Sequence, residues 1–110
     1  MSRIKYAVLG SGRQGIAVAF DIVKFGNAEK VRLLDIDIDV AESGANRINT
    51  LLKCDTTTSG KLDVANHSDL VKSLEDVDVF ISAVPYHLNP IITSAALEIR
   101  ASMVDLGGHT

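Results

Sequence analysis

The chain begins with two patterns of apolar residues that differ in period. The nearly continuous run from Ile4 to Leu9 predicts a parallel strand covered on both faces. From Arg13 to Phe25 apolar residues recur at i, i+3, i+4 and i+7, which predicts a helix that buries one face and stops at Gly26. The residues on that face are Ile16, Ala19, Phe20 and Val23. A second apolar run, Lys30 to Asp35, predicts the second strand.

The middle of the chain continues the same alternation with weaker signals. Asp39 followed by Glu42 has the spacing of a capping box, which predicts the start of a second helix that ends near Lys53. The polar residues 55–60 predict a loop, because their side chains compete with helix by local hydrogen bonds. Residues 61–64 then predict a third strand.

The last part of the chain predicts two more helices and two more strands. Ser68 is a candidate N-cap for a short third helix. The run from Val77 to Val84 predicts the fourth strand, which Pro85 closes because it cannot donate to a ladder. Asn89 and Pro90 predict the start of a fourth helix, and residues 103–106 predict a fifth strand.

Strands that alternate with helices at this spacing indicate an α/β domain with a doubly wound parallel sheet. We expect one domain over residues 1–110, with four helices and five strands in the order 3-2-1-4-5. In such a sheet ligands bind outside the carboxyl ends of the strands, where the strand order reverses. Here that position is the crevice between strands 1 and 4.

Composition narrows the classes of partner. With 46% hydrophobic and 23% charged residues the chain is typical of globular proteins. Its net charge of −3 gives no broad basic surface, so we expect no nucleic-acid partner. No apolar run is long enough to span a membrane, and the first residues form a strand pattern rather than a leader. We therefore expect a cytoplasmic protein that does not associate with membranes.

The residues that commonly bind metals are sparse. Cys54 is the single cysteine, so it has no second thiol for a disulfide or a zinc site. His67 and His109 have no partners at metal-ligand spacing. We expect no metal site.

Three glycines between the first strand and the first helix have the G-x-G-x-x-G spacing of dinucleotide-binding turns. Gly10 allows a sharp turn, Gly12 leaves room for a pyrophosphate, and Gly15 lets the helix approach the strand. The N–H groups at the helix start then face the phosphates. The predicted phosphate-binding residues are Gly10, Ser11, Gly12, Arg13, Gln14 and Gly15.

Asp35 ends the second strand, about 20 residues past the glycines, where the fingerprint places an acid. Its carboxylate can accept both ribose hydroxyls of adenosine and would repel a 2′-phosphate. Asp37 and Asp39 add to that repulsion, and the nearest downstream cation is Arg47. These residues favour NAD over NADP as the cofactor. The alternative is that Asp35 is only a solvated turn residue.

Other strand ends supply further candidate contacts to the cofactor. We expect Ile36 beside the adenine and Asp63 with Val64 flanking it, although Asp63 is equally consistent with a capping or turn residue. Ala83, Val84 and Pro85 follow the fourth strand and would border the ribose on the nicotinamide side.

Tyr86 and His87 come next, at the mouth of the crevice where hydride transfer would occur. A histidine with a pKa near neutrality can serve as acid or base toward an amine or hydroxyl, so both residues are candidate catalytic groups. The alternative is that they are surface or capping residues of a loop.

The chain resembles the saccharopine dehydrogenase-like family, which includes lysine 6-dehydrogenases. The resemblance lies in three segments: Val8 to Gly15, Ile81 to Asn89 with its Pro-Tyr-His-Leu-Asn string, and Val104 to Thr110 with its Asp-Leu-Gly-Gly string. It implies an NAD(P)-linked oxidoreductase that acts at a carbon–nitrogen bond of an amino acid.

The same resemblance implies a second, larger domain, because the sequence stops in the loop after strand 5. We therefore expect a cofactor-binding segment of a longer enzyme, inactive alone, whose amino-acid substrate is held by that further domain. Strand 5 would then be an exposed edge, which makes a homo-oligomer possible. A non-catalytic NAD-sensing module is the alternative, and Tyr86 with His87 favours the enzyme.

Overall fold

The structure, a computed structural model, describes residues 3–10 and 12–83 and the main chain of residues 102–105. Strands and helices alternate throughout this part of the chain. In order they are β1 (Ile4–Leu9), α1 (Arg13–Phe25), β2 (Ala28–Asp35), α2 (Ile38–Leu52), β3 (Thr57–Lys61), α3 (His67–Leu74), β4 (Val79–Ser82) and β5 (Ser102–Asp105).

The five strands form one sheet in the order β3-β2-β1-β4-β5, and every neighbouring pair is parallel. The predicted α/β class and strand order are confirmed. Strand β1 lies at the centre, between β2 and β4, so the order reverses beside it. The fourth helix predicted from Asn89 onward lies outside the described residues.

Two apolar layers cover the two faces of the sheet, because side chains alternate along β1. Val8 points into the layer that α1 and α2 fill with Ala19 and Ile48. Ala7 and Leu9 point to the opposite face, into a layer shared with Leu70 and Leu74 of α3. Burying one stripe of each helix in this way holds the strand ends in a fixed relation.

Strand β3 corrects the prediction for this region. The strand comprises Thr57–Lys61, where we expected a loop, and it ends where the predicted strand 61–64 would begin. It is an edge strand paired only with β2 among the described strands, so backbone bonds and β-branched threonines suffice without an apolar run. Its first side chain, Thr57, is nevertheless buried.

The starts of α2 and α3 are also corrected. Asp37, not Asp39, caps α2, because the Asp37 side chain accepts from the N–H groups of the first turn. Asn66, not Ser68, caps α3 by accepting from Asp69 N–H at 3.2 Å. In both cases the capping side chain lies two residues before the expected one. The end of α2 at Lys53 and the end of α1 at Gly26 are as predicted.

Strand β4 is shorter than the expected run from Val77 to Val84, since it comprises Val79–Ser82. Within the described part of the chain no helix combines the length and the apolar character that crossing a membrane requires.

Candidate cofactor-binding edge

The carboxyl ends of β1, β2 and β4 lie side by side. Leu9 pairs with Leu34 on one side and with Ser82 on the other. The ladder continues one step into the turns, because Gly10 N–H donates to Leu34 O at 2.7 Å and Ala83 N–H donates to Leu9 O at 2.8 Å. The glycine turn, the end of β2 and the end of β4 therefore share one edge of the sheet.

Gly10 and Gly15 make the turn after β1 possible. Gly10 has φ of 100°, a left-handed conformation that favours glycine. A Cβ on Gly15 would overlap the carbonyl oxygen of Gly10 and lie 2.9 Å from its carbonyl carbon. Helix α1 can therefore start this close to the strand only because Gly15 has no side chain.

Gly12 is different, because the fold itself does not demand a glycine there. Its φ of −70° and ψ of −174° are open to any residue. A Cβ at Gly12 would meet no heavy atom within 4 Å among the described residues beyond its chain neighbours. Gly12 thus keeps the space in front of the helix clear of side-chain atoms.

The N-terminus of α1 has no acidic group of its own. Gly12 caps the helix without a side-chain hydrogen bond, and the first turn contains no acid. Arg13 and Gln14 are exposed, while Gly15 is buried. The N–H groups of this turn, with the positive end of the helix dipole, are suited to bind an anion such as a phosphate.

Asp35 closes β2 next to this turn and is half-buried. Its Oδ1 accepts from Asp37 N–H at 2.9 Å, which fixes the orientation of the carboxylate. Its carbonyl oxygen accepts from Leu62 N–H at 2.9 Å, which ties the end of β2 to the chain after β3. A carboxylate has about four lone-pair positions, so one such bond leaves it able to accept from hydroxyl groups.

The turn between β2 and α2 contains one apolar and one capping residue. Ile36 is 62% exposed, which is unusual for its size and consistent with a flat apolar ligand beside it. Asp37 accepts from Asp39 N–H at 3.0 Å and from Val40 N–H at 3.4 Å. Sequence analysis treated Asp37 only as an added charge, although an Asp-x-Asp string before an amphipathic run also signals this cap.

Asp63 and Val64 lie in the turn before α3 rather than at the end of a strand. Asp63 is exposed and its Oδ1 accepts from Ala65 N–H at 3.0 Å, which is the turn role named as the alternative. Val64 is half-buried and packs against the layer around α3. Contact of either residue with an adenine ring stays a prediction.

Ala83 is half-buried, directly after β4, and its Cβ lies 3.6 Å from a Cβ built on Gly15. Ser82, which we did not single out, is buried at the end of β4 and pairs with Leu9. The remaining predicted site residues lie outside the described part of the chain: Ser11, Val84, Pro85, Tyr86 and His87. The described residues contain no cluster of three potential metal ligands.

One carboxyl away from this edge has a perturbed pKa. The hydrogen bond from Arg32 lowers the pKa of Asp76 below 3.8, and the positive charges of Arg32 and Lys5 act in the same direction. The Arg32 guanidinium meets the two Asp76 oxygens at 3.1 and 3.2 Å and also donates to Ser73 O at 2.8 Å. This contact fastens the end of α3 to β2.

The strand order, with a glycine turn leading into an uncapped helix beside β2, makes this chain a dinucleotide-binding domain of the Rossmann type. The comparisons with known proteins agree. Residues 6–110 match the family model "Saccharopine dehydrogenase NADP binding domain", and the chain belongs to that family. It is therefore the nicotinamide-cofactor domain of a saccharopine dehydrogenase-like oxidoreductase.

Solved structures show the same fold at low identity. Apo saccharopine dehydrogenase (L-Glu forming) from Saccharomyces cerevisiae matches with a TM-score of 0.76 at 23% identity, over 97% of this chain and 22% of that one. Quinate dehydrogenase from Corynebacterium glutamicum, in complex with NAD, has a TM-score of 0.68 at 18% identity, over 94% of this chain and 44% of that one.

A short-chain dehydrogenase/reductase from Veillonella parvula, in complex with NADP, has a TM-score of 0.68 at 13% identity, over 93% of this chain and 46% of that one. The chain thus spans less than half the length of each of these three enzymes. Because one of them was solved with NAD and another with NADP, the shared fold leaves the choice of cofactor to the side chains.

Proposed function

We propose that this domain binds NAD in preference to NADP. The observation that carries the proposal is the Asp35 carboxylate, held by Asp37 N–H at 2.9 Å at the strand end beside the glycine turn. A carboxylate in this position accepts the two ribose hydroxyls of NAD, whereas the 2′-phosphate of NADP would meet its negative charge.

The geometry of the glycine turn supports the phosphate half of the proposal. Gly12 needs no glycine for its backbone angles or for space within the described residues. The lack of a side chain at Gly12 is therefore best explained by a ligand that approaches the main chain. A pyrophosphate fits, because the N–H groups at the start of α1 and its dipole attract anions.

Calorimetric titration of the chain with NAD, NADP and AMP tests the proposal. We expect NAD to bind at least about tenfold more tightly than NADP, which corresponds to about 1.4 kcal/mol. Asp35→Ala should narrow that difference, because it removes both the acceptor for the ribose and the repulsion of the 2′-phosphate. Equal affinities of the unchanged chain for NAD and NADP would refute the assignment of Asp35.

A control variant separates loss of recognition from loss of folding. Asp21→Asn removes one negative charge from the exposed middle of α1, roughly 12 Å along the helix from Arg13. We expect it to leave the NAD to NADP ratio unchanged, with the same thermal midpoint as the unchanged chain. A shift as large as that of Asp35→Ala would mean that total charge, not position, sets the preference.

We also propose that the protein acts on an amino acid, oxidising an amine or reducing an imine. Membership in the saccharopine dehydrogenase family supports this, as does the fold shared with the yeast enzyme. In the oxidative direction a hydride would leave the carbon next to nitrogen for the nicotinamide, and a proton would leave the nitrogen. Tyr86 and His87 stay the candidates for handling that proton.

Reaction of NAD with lysine or saccharopine, followed by the absorbance of reduced nicotinamide, tests the substrate class. The proposal assigns the substrate to a region beyond this sequence, so we expect the 110-residue chain to bind NAD without turning over either amino acid. Amine oxidation by the chain alone would contradict this division. Because β5 lies at one edge of the described sheet, self-association is a related proposal, which analytical ultracentrifugation measures.

A further inference from the structure

The first turn of α2 already holds two carboxylates of the chain itself. Asp37 N–H donates to the Asp35 carboxylate at 2.9 Å, and Asp39 N–H donates to the Asp37 carboxylate at 3.0 Å. Such N–H groups at a helix start are the donors that bind phosphates in other proteins. In this domain those two donors are occupied, at the strand end where a 2′-phosphate of NADP would arrive.

The negative charge of Asp37 is not required for its role as a cap. In the same chain Asn66 caps α3, where its side chain accepts from Asp69 N–H at 3.2 Å. Asparagine and aspartate are about equally good at this position. Both helices also carry an acid in the first turn, Asp39 in α2 and Asp69 in α3, which serves the helix dipole in each.

We propose that Asp37 is a second determinant of cofactor choice, and this rests on the proposed preference for NAD. Its N–H orients the Asp35 carboxylate, and its own carboxylate adds a fixed negative charge next to the ribose position. Two hydrogen bonds to the start of α2 hold that charge in place, although the side chain is exposed. The end of β2 therefore rejects a 2′-phosphate by repulsion and by having its nearest donors filled.

Asp39 does not share this arrangement. It lines a groove between α1 and α2 together with Arg47, so a cation accompanies its charge there. No hydrogen bond joins its N–H to Asp35, since that N–H donates to Asp37. Asp37 is thus the acid of the α2 start that is linked directly to the Asp35 carboxylate.

The test compares binding of 5′-AMP and 2′,5′-ADP, which differ only by the 2′-phosphate, to the chain and to Asp37→Asn. An asparagine keeps the cap and the backbone N–H but removes the charge. We expect the ratio of the two affinities to move toward 2′,5′-ADP by about threefold at low salt, and by less at high salt as screening increases. Asp21→Asn, with the same change in net charge, should leave the ratio unchanged.

The outcomes separate this inference from the proposal beneath it. If Asp35→Ala moves the ratio and Asp37→Asn does not, the role of Asp37 is wrong while the preference for NAD stands. If the unchanged chain binds 2′,5′-ADP as tightly as 5′-AMP, the preference itself is refuted. Circular dichroism checks that Asp37→Asn keeps its helix content and thermal midpoint, and a threefold shift in a variant that has lost helix would also count against the inference.

Discussion

The starts of α1 and α2 lie at the same edge of the sheet and are built in opposite ways. Helix α1 begins at Gly12, with no side-chain cap and no acid in its first turn. Helix α2 begins at Asp37, whose carboxylate accepts from two N–H groups, and it is preceded by Asp35. One helix start is left open to an anion, and the other is neutralised by the chain.

The difference shows how a single fold can attract one phosphate group and reject another. Glycine is only a few tenths of a kcal/mol worse than aspartate as an N-cap, so leaving α1 without a side-chain cap has a small effect on stability. Filling the first turn of α2 with carboxylates keeps that helix stable without any ligand. Selectivity for NAD then follows from which of the two helix starts carries the acids.

The largest effect should come from closing the approach of α1 to the strand. Gly15→Ala places a methyl group against the Gly10 carbonyl, 2.9 Å from its carbon. We expect a loss of about 3 kcal/mol in unfolding free energy and of cofactor binding, measured by urea denaturation and calorimetry. Gly12→Ala adds the same methyl where no described atom lies within 4 Å. It should weaken cofactor binding while leaving stability within about 0.5 kcal/mol.

Giving α1 the cap that α2 has should abolish their difference. Gly12→Asp introduces a carboxylate that can accept from the first turn, so we expect the domain to gain about 0.5 to 1 kcal/mol in stability. The same carboxylate would repel the pyrophosphate and weaken NAD at least about tenfold, or about 1.4 kcal/mol. Calorimetry and thermal unfolding measure the two effects separately. Undiminished NAD affinity would show that the phosphates bind elsewhere.

Removing the cap of α2 is the reverse change. Asp37→Ala takes away the acceptor for Asp39 N–H and Val40 N–H, and we expect a loss of about 1 kcal/mol in unfolding free energy. Asp37→Asn should retain most of that stability. If the alanine variant unfolds at the same urea concentration as the unchanged chain, the cap contributes nothing to folding and the comparison between the two helix starts is weakened.

The smallest effect is expected away from both helix starts. Arg32 lowers the pKa of Asp76 in the folded state, so their contact stabilises the domain above the unfolded pKa and is lost as the pH falls through the lower folded value. Because the Asp76 side chain is 56% exposed, we expect less than about 1 kcal/mol.

Asp76→Asn should flatten this part of the acid limb of stability, measured by urea unfolding from about pH 6 to about pH 2. The ratio of NAD to NADP affinity should not change in this variant. A changed ratio would mean that the α3 end of the sheet influences the cofactor edge, and the difference between the two helix starts would then be an incomplete account of selectivity.

Sequence patterns predicted the parts of the fold that depend on burial or on backbone geometry. The order of strands around β1 followed from buried runs, and the turn at Gly10 followed from glycine spacing. The placement of Asp35 at the end of β2 followed from the length of that run. These features leave a signal because apolar period and positive φ restrict which residues are possible.

The elements that sequence analysis misplaced depend on hydrogen bonds instead. Strand β3 is held by backbone bonds to β2, which its polar residues 57–60 do not reveal. The caps of α2 and α3 were expected at Asp39 and Ser68, because several nearby residues had acceptable chemistry. Only the three-dimensional structure shows which side chain meets the N–H groups. The same holds for the bond between Asp37 and Asp35, which no spacing rule predicts.

The turns at the cofactor edge are tied to the sheet by main-chain bonds at Gly10, Leu62 and Ala83. None of these bonds uses a side chain, so replacing the residues that face the ligand leaves the frame intact. Evolution could therefore exchange one nicotinamide cofactor for the other here through few replacements, without rebuilding the scaffold. An engineer who wants an NADP-dependent version should begin with the carboxylates at the end of β2 and leave the glycines alone.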